Sequence, residues 1–298
     1  MRKITTQVVI LILATAMILG YTAICIAPFV FTPSKDTVTP IPDENDQNDT
    51  DLEDINPPAP EQPEIDSSIP NESPDEDNKP ADTQEAKAIY IRAKTNSLNL
   101  RRGPGTNYSS VGHLNKNDMV LFLAKEGNWY KTLYKNEIAY ISAGNSYTEL
   151  FEMNAHSDDS VEKVIDEGLR LLGFPYVYGA TRLHDGAGNK IRGFDDTKYD
   201  CSSLMQYMFY YGAGINLNMT TRTQVKQGRH VPKADLTRGD LIFFTNAQRY
   251  NKTGTERIGH VALYLGENYI LHTASDYAVI EPISTQRWNY YIETRRFI

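Results

Sequence analysis

Cysteine is nearly absent: two in 298 residues exclude a disulfide-knit secreted scaffold and a multi-cysteine zinc module. Positive charge is also in short supply, with 30 Lys+Arg against 38 Asp+Glu and a formal net charge of −8. That average hides a split along the chain. Residues 34–86 hold 17 acidic side chains against two lysines, a net −15, whereas residues 87–298 hold 26 basic against 21 acidic, a net +5. An excess of five suits an acidic polymer as partner but is too small to argue for nucleic acid. No phosphate-cradling loop and no nucleic-acid motif is present.

One long uncharged run stands out. Val8 to Phe31 is 24 residues without a charge, preceded by Arg2 and Lys3, which predicts a membrane helix with the bulk of the chain outside. Two other readings apply to residues 1–33. Ala14-Thr15-Ala16 has the spacing of a signal-peptide cleavage site. Thr22-Ala23-Ile24-Cys25 resembles a lipoprotein box, with Ile24 where a small residue is needed. Each of the three exports the protein. Residues 34–86 carry nine of the 15 prolines and no aromatic residue, so they read as a disordered, acidic, extended linker.

From 87 to 150 the texture changes to short alternating runs: Tyr90-Ile91-Arg92, Leu98-Asn99-Leu100-Arg101, Val120-Leu121-Phe122-Leu123 and Ile138-Ala139-Tyr140-Ile141. Gly103-Pro104-Gly105, Lys116-Asn117-Asp118 and Lys135-Asn136-Glu137 separate them as turns. The spacing predicts a small all-β barrel. Leu98 to Tyr108, followed by Gly127-Asn128-Trp129-Tyr130-Lys131, resembles the bacterial SH3 domain of cell-wall enzymes. The resemblance implies wall-peptide binding or packing against a catalytic domain.

Residues 151–298 predict an α+β domain with an antiparallel sheet. Val161, Val164, Ile165, Gly168, Leu169 and Leu172 recur at helical spacing after Ser157-Asp158-Asp159. A second helix starts at Asp200-Cys201-Ser202-Ser203 and stops at Gly212 and Gly214. Strands are expected at 241–245, 260–265, 269–273 and about 290–297. The aromatic cluster from Tyr207 to Tyr211, with Tyr290-Tyr291, reads as packing.

Cys201 is the residue most in need of explanation, because Cys25 lies in the apolar run and leaves it no disulfide partner. With Asp200 as N-cap, Cys201 falls in the first helical turn, where the helix dipole favours a thiolate. Such a nucleophile needs a base. His113, His156, His184 and His230 read as surface histidines. His260 and His272 lie in apolar runs joined by Gly266-Glu267-Asn268. If those three residues form the loop, His260 faces Ala274 and His272 sits diagonally on the same face, within side-chain reach. A two-residue loop would put them on opposite faces. Cys201, His260 and His272 then supply a nucleophile, a base and an orienting group. The same trio could form an open zinc site, although ligand spacing disfavours it.

Five motifs carry a second resemblance. Pro175-Tyr176-Val177-Tyr178-Gly179, Asp200-Cys201-Ser202-Ser203-Leu204, Leu236 to Phe244, Gly259-His260-Val261-Ala262-Leu263-Tyr264-Leu265-Gly266 and Ile270-Leu271-His272 occur in the order of the NlpC/P60 cysteine peptidases. The resemblance implies a papain-like catalytic domain that hydrolyses peptidoglycan stem peptides, usually between D-glutamate and the diamino acid, at the bacterial cell surface. No cofactor and no metal is expected. By that match Cys201 is the nucleophile, His260 the base and His272 the orienting residue. Tyr176 assists the oxyanion, and Asp200 and Ser202 contact the substrate's N-terminal side in relatives that take a free amine. The sequence departs from the family at Ser203 and Ala180, where glycines are usual, and in two long loops, 180–199 and 245–259. An amidase cutting at L-alanine and an inactive wall-binding protein are the rival readings.

Overall fold

The computed structural model describes residues 86–274 and 276–298; the expectations for residues 1–85 lie outside the described residues. No helix among the described residues is long and apolar enough to cross a membrane.

Eight strands come first: β1 (Lys87–Ala93), β2 (Leu98–Arg101), β3 (Ser110–Leu114), β4 (Met119–Leu121), β5 (Ala124–Glu126), β6 (Trp129–Tyr134), β7 (Glu137–Ser142) and β8 (Thr148–Asn154). The alternation is direct: in β6, Tyr130, Thr132 and Tyr134 point inward between half-exposed neighbours. The second part runs α1 (Asp159–Arg170), α2 (Cys201–Ala213), α3 (Thr221–Gln224), β9 (Arg229–His230), β10 (Leu241–Phe244), β11 (His260–Gly266), β12 (Tyr269–Ala274), β13 (Tyr277–Pro282), α4 (Thr285–Asn289) and β14 (Tyr291–Arg296). The architecture is mixed α+β. β13 is a strand that the sequence reading missed.

The strands of the expected barrel divide between two sheets. Five strands form one antiparallel sheet in the order β3-β2-β7-β6-β5. The other three join the second part in a nine-stranded sheet, β8-β1-β4-β13-β12-β11-β10-β14-β9. The junction is the antiparallel pairing of Ile280 in β13 with Met119 in β4. Both side chains are buried, so the apolar contact and the pairing reinforce each other.

Two further ties cross the junction. Lys135 and Asn136 form the β6–β7 turn with φ of 53° and 57°, the left-handed pair that two-residue hairpins require. Their N–H groups donate to Leu172 O and Arg170 O at 2.8 Å, capping carbonyls that the end of α1 would otherwise leave unpaired. Arg238 is buried and makes paired hydrogen bonds to Glu162 of α1 at 2.7 and 2.8 Å. It also donates to Leu265 O and to the Tyr90 hydroxyl of β1.

The core explains where the second helix sits. Leu204, Met205, Met208 and Phe209 are fully buried between α1 and the sheet. β10 is buried on both faces: Leu241 and Phe243 join the main core, and Ile242 and Phe244 join a smaller cluster with Ala262 and Ile270. α1 and α2 approach backbone to backbone at Gly212, where a Cβ would lie 2.5 Å from Val164 Cα. Alanine would gain about 1 kcal/mol in helix propensity. The clash is with backbone, which cannot rotate away, so overpacking outweighs that gain at about 1–3 kcal/mol. Gly212→Val, with more bulk still, is expected to lower the calorimetric Tm by several degrees and to shift α2, and Cys201 with it. An unchanged Tm would mean that the helices separate freely.

Candidate active site

The site begins with a helix cap. Asp200 is extended (φ −99°, ψ 177°), and its side chain accepts from the Ser203 N–H at 2.8 Å. Ser203 Oγ accepts in return from the Asp200 N–H at 2.9 Å. Ser203 thus closes a capping box. Cys201 follows as the first residue of α2 and is 8% exposed. Burial, with the Asp200 charge beside it, pushes the thiol up to about 12, against the opposing pull of the Val261 and Ser202 N–H groups and Arg182. The expectation of a resting thiolate from helix position alone is therefore corrected: desolvation outweighs the helix start.

The histidine hairpin reaches the expected register by an unexpected route. Its turn is only two residues, Glu267 and Asn268, with φ of 49° and 65°. A bulge between Tyr264 and Gly266 then absorbs one residue, so that Tyr264 pairs with Ile270 and Leu263 with Leu271. His260 and His272 consequently share a face. His260 Nε2 lies 2.9 Å from His272 Nδ1, with the ring planes at 76°. That direct contact leaves no room for an ion between those two nitrogens.

Beyond His272 stands a residue that the sequence reading did not find. β13 pairs with β12 so that His272 faces Val279 and Ile270 faces Glu281, which puts Glu281 diagonally beside His272. His272 Nε2 lies 2.9 Å from Glu281 Oε1, and Arg287 Nη2 donates to the same oxygen at 2.9 Å. Burial alone would raise Glu281, but the His272 hydrogen bond and the Arg287 charge hold it below the ordinary carboxylate range. An ionised carboxylate only accepts, so His272 carries its proton on Nε2. Neutral His272 then accepts at Nδ1 from His260 Nε2–H, and the His260 lone pair is left on Nδ1. Burial lowers His272, with the Glu281 hydrogen bond opposing, and it lowers His260 well below 6.5, reinforced by the repulsion that a protonated His260 would meet from His272 if that too were protonated and from Arg287. Both shifts favour the uncharged form, thiol on one side and imidazole on the other.

Two adjoining clefts serve these groups. One is about 170 Å³, lined by Cys201, Asp200, Ser202 and Arg182; the other, about 390 Å³, is lined by His260, Phe244 and Arg287. Tyr176 and Gly259 border both, so Tyr176 stands where nucleophile side and base side meet. Burial and the nearby Cys201 and Asp200 raise the Tyr176 phenol, which keeps it a hydrogen-bond donor. Five of the six sequence-predicted residues line these two clefts, and the sixth, His272, is buried behind His260.

The remaining histidines stay outside the clefts, with one correction. His113 and His230 are exposed and His156 is partly buried, but His184 is fully buried rather than on the surface. The loop carrying it folds back on α2. Gln206 donates to His184 O and accepts from Leu183 N–H, both at 3.0 Å, and the imidazole packs 5.3 Å from the Tyr210 ring. The 180–199 loop is thus a packed element in which Leu183 and Tyr199 are also buried.

Residues 173–296 match the NlpC/P60 family and residues 96–147 the bacterial SH3 domain. The chain carries an NlpC/P60 domain behind a bacterial SH3 domain. It is 32% identical over 140 residues to the peptidoglycan endopeptidase RipA of Mycolicibacterium smegmatis, covering 45% of this chain and 25% of that protein. It is 34% identical over 120 residues to RipB of Mycobacterium tuberculosis, covering 40% of this chain and 46% of that one. A gamma-D-glutamyl-L-lysine dipeptidyl-peptidase of Bacillus cereus is 26% identical over 185 residues, 61% of this chain and 50% of its own length. The chain thus spans a quarter to a half of these relatives' lengths.

The tautomer assignment is directly measurable. Ring-nitrogen NMR of the NlpC/P60 domain in the full chain is expected to show both His260 and His272 protonated on Nε2 at neutral pH, with His260 titrating below 6.5. Glu281→Gln is expected to release His272 into a mixture of tautomers, since an amide both donates and accepts. A His272 signal that does not respond would sink the assignment.

Proposed function

We propose that the protein is a cell-wall hydrolase that cleaves peptidoglycan stem peptides, between D-glutamate and the diamino acid, by thiol catalysis. The carrying observation is the line Glu281–His272–His260, three side chains joined at 2.9 Å per step, ending at a cleft that shares Tyr176 and Gly259 with the one holding Cys201. Such a line fixes a base in one tautomer and stabilises its protonated form. It has little use in a binding protein.

In this reading Cys201 passes its proton to His260 Nδ1 as the sulfur attacks the amide carbonyl. Because thiol and imidazole start neutral, transfer and attack run together instead of from a stored ion pair. Tyr176 donates to the developing oxyanion together with backbone N–H groups at the start of α2. His260 then protonates the leaving amine, and water releases the acyl group from the sulfur. The orienting role falls to His272, and the positive charge on His260 is balanced at the far end by Glu281. Residues 1–33 would export or anchor the chain, 34–86 tether it, 87–150 place it on the wall, and 151–298 carry the chemistry. The family match and the names of the relatives support this reading, as does the weakly basic charge of residues 87–298.

Digestion of purified peptidoglycan by the full chain, beside Cys201→Ala, tests it, with products identified by mass. The expected result is cleavage after D-glutamate by wild type alone. Release of intact stem peptides from glycan would mean an amidase, and equal silence from both proteins would mean a binding module. In the same assay the acid limb of kcat/KM is expected below pH 6.5, because a lowered His260 stays a competent base there. Glu281→Gln is expected to reduce kcat by roughly ten- to a hundredfold, the usual scale for partners that orient a functional group.

A further inference from the structure

The cleft beside Cys201 contains a carboxylate that has no capacity left. Asp200 Oδ1 accepts from Ser203 N–H at 2.8 Å and from Ser202 Oγ at 3.1 Å. Oδ2 accepts from Gly179 N–H at 3.2 Å and is ion-paired with Arg182 Nη2 at 2.8 Å. A carboxylate offers about four lone-pair sites, and these four donors occupy them. Arg182 is itself fixed: it also donates to Met219 O and Ala180 O at 2.5 Å and to Ser202 Oγ at 3.1 Å. Its side chain is 13% exposed. An ammonium entering here would have to displace a held guanidinium and then sit beside it, like charge against like charge.

Another part of the same cleft's lining has the reverse character. Arg222 and Arg249 line it, and both donate to one carboxylate, Glu256, at 3.3 and 3.1 Å. Glu256 is 61% exposed, so it is a weak and solvated partner for two guanidiniums. An incoming carboxylate would find two cations sharing one exposed acid, in a recess where the charge-assisted bonds are stronger than in water.

We propose that the Cys201 cleft selects peptides whose amine is blocked and which carry a carboxylate, with Arg222 and Arg249 as the carboxylate's receptors, and that Asp200 does not serve as an ammonium receptor. This deepens the reading under Proposed function and rests on it. The substrate class is then the stem peptide still joined through its amine to the glycan, in preference to released free-amine fragments. Arg182 comes from the long 180–199 loop, so the loop that departs from the family pattern is the one that fills Asp200.

Three synthetic peptides test this with the full chain: L-alanyl-γ-D-glutamyl-diamino acid with a free amine, its N-acetyl form, and the N-acetyl form with the glutamate α-carboxylate converted to an amide. The N-acetyl peptide is expected to be cut with kcat/KM about tenfold above the free-amine form, and amidation to lower it by about tenfold, as for one lost charge-assisted bond. The Arg222→Gln, Arg249→Gln double variant is expected to erase the amidation penalty. Arg182→Gln is expected to raise the free-amine peptide relative to the acetylated one; if that variant does not fold, the double variant still decides. A free-amine preference in wild type, or an amidation penalty that survives the double variant, overturns the proposal. If no peptide is cut, calorimetric binding of the same three to wild type separates the two ideas. The same order of affinities would leave this proposal standing without the hydrolase reading, and equal affinities would overturn it.

Discussion

The buried carboxylate of Asp200 does three jobs at once, and the site depends on all of them being done together. One oxygen begins α2 through the Ser203 N–H, which fixes where Cys201 sits. The other holds Gly179 and Arg182, and through them the start of the 180–199 loop. Removing it would leave a buried guanidinium without its counter-ion, the case in which a broken ion pair costs about 3–5 kcal/mol. The nucleophile, the loop and the floor of the cleft therefore have a common origin in one side chain.

The base side is organised by the opposite principle. No charge sits on His260 or His272 at rest; the charge is kept at the end of the line, on Glu281 and Arg287, where the carboxylate is about a third exposed. A neutral line costs less to bury than a charged one. It also makes direction a matter of hydrogen-bond grammar, because one obligate acceptor at the end determines which nitrogen carries the proton at each step.

Much of this was legible in the sequence because it rests on local rules. The Asp200 cap, the helix that follows Cys201 and the apolar strands at 241 and 260 are matters of capping preference and periodicity. The histidine face was legible too, although by a two-residue turn plus a bulge and not by a three-residue loop. Glu281 was not found because β13 follows a short turn at Asp276 and its run Tyr277-Ala278-Val279-Ile280 is brief. Once that strand is known, the diagonal rule that joined His260 to His272 also joins Glu281 to His272. The Arg182–Asp200 pair and the burial of His184 were out of reach for a different reason: the path of an irregular loop is set by tertiary packing, here against Gln206 and Tyr210. The neutral thiol was missed because burial is a property of the closed fold and not of the helix start.

The single pairing of Met119 with Ile280 has a bearing on how the two parts must have been inherited. A β-sheet edge is sticky, and β13 would present one if β4 were taken away. The SH3 strands therefore act as a guard on the catalytic sheet as well as a neighbour to it. Shuffling such a barrel for another wall-binding module would require the newcomer to bring its own strand to that edge, and its own turn to close the end of α1. That requirement ties the two domains together through backbone pairing and a helix end as well as through side chains.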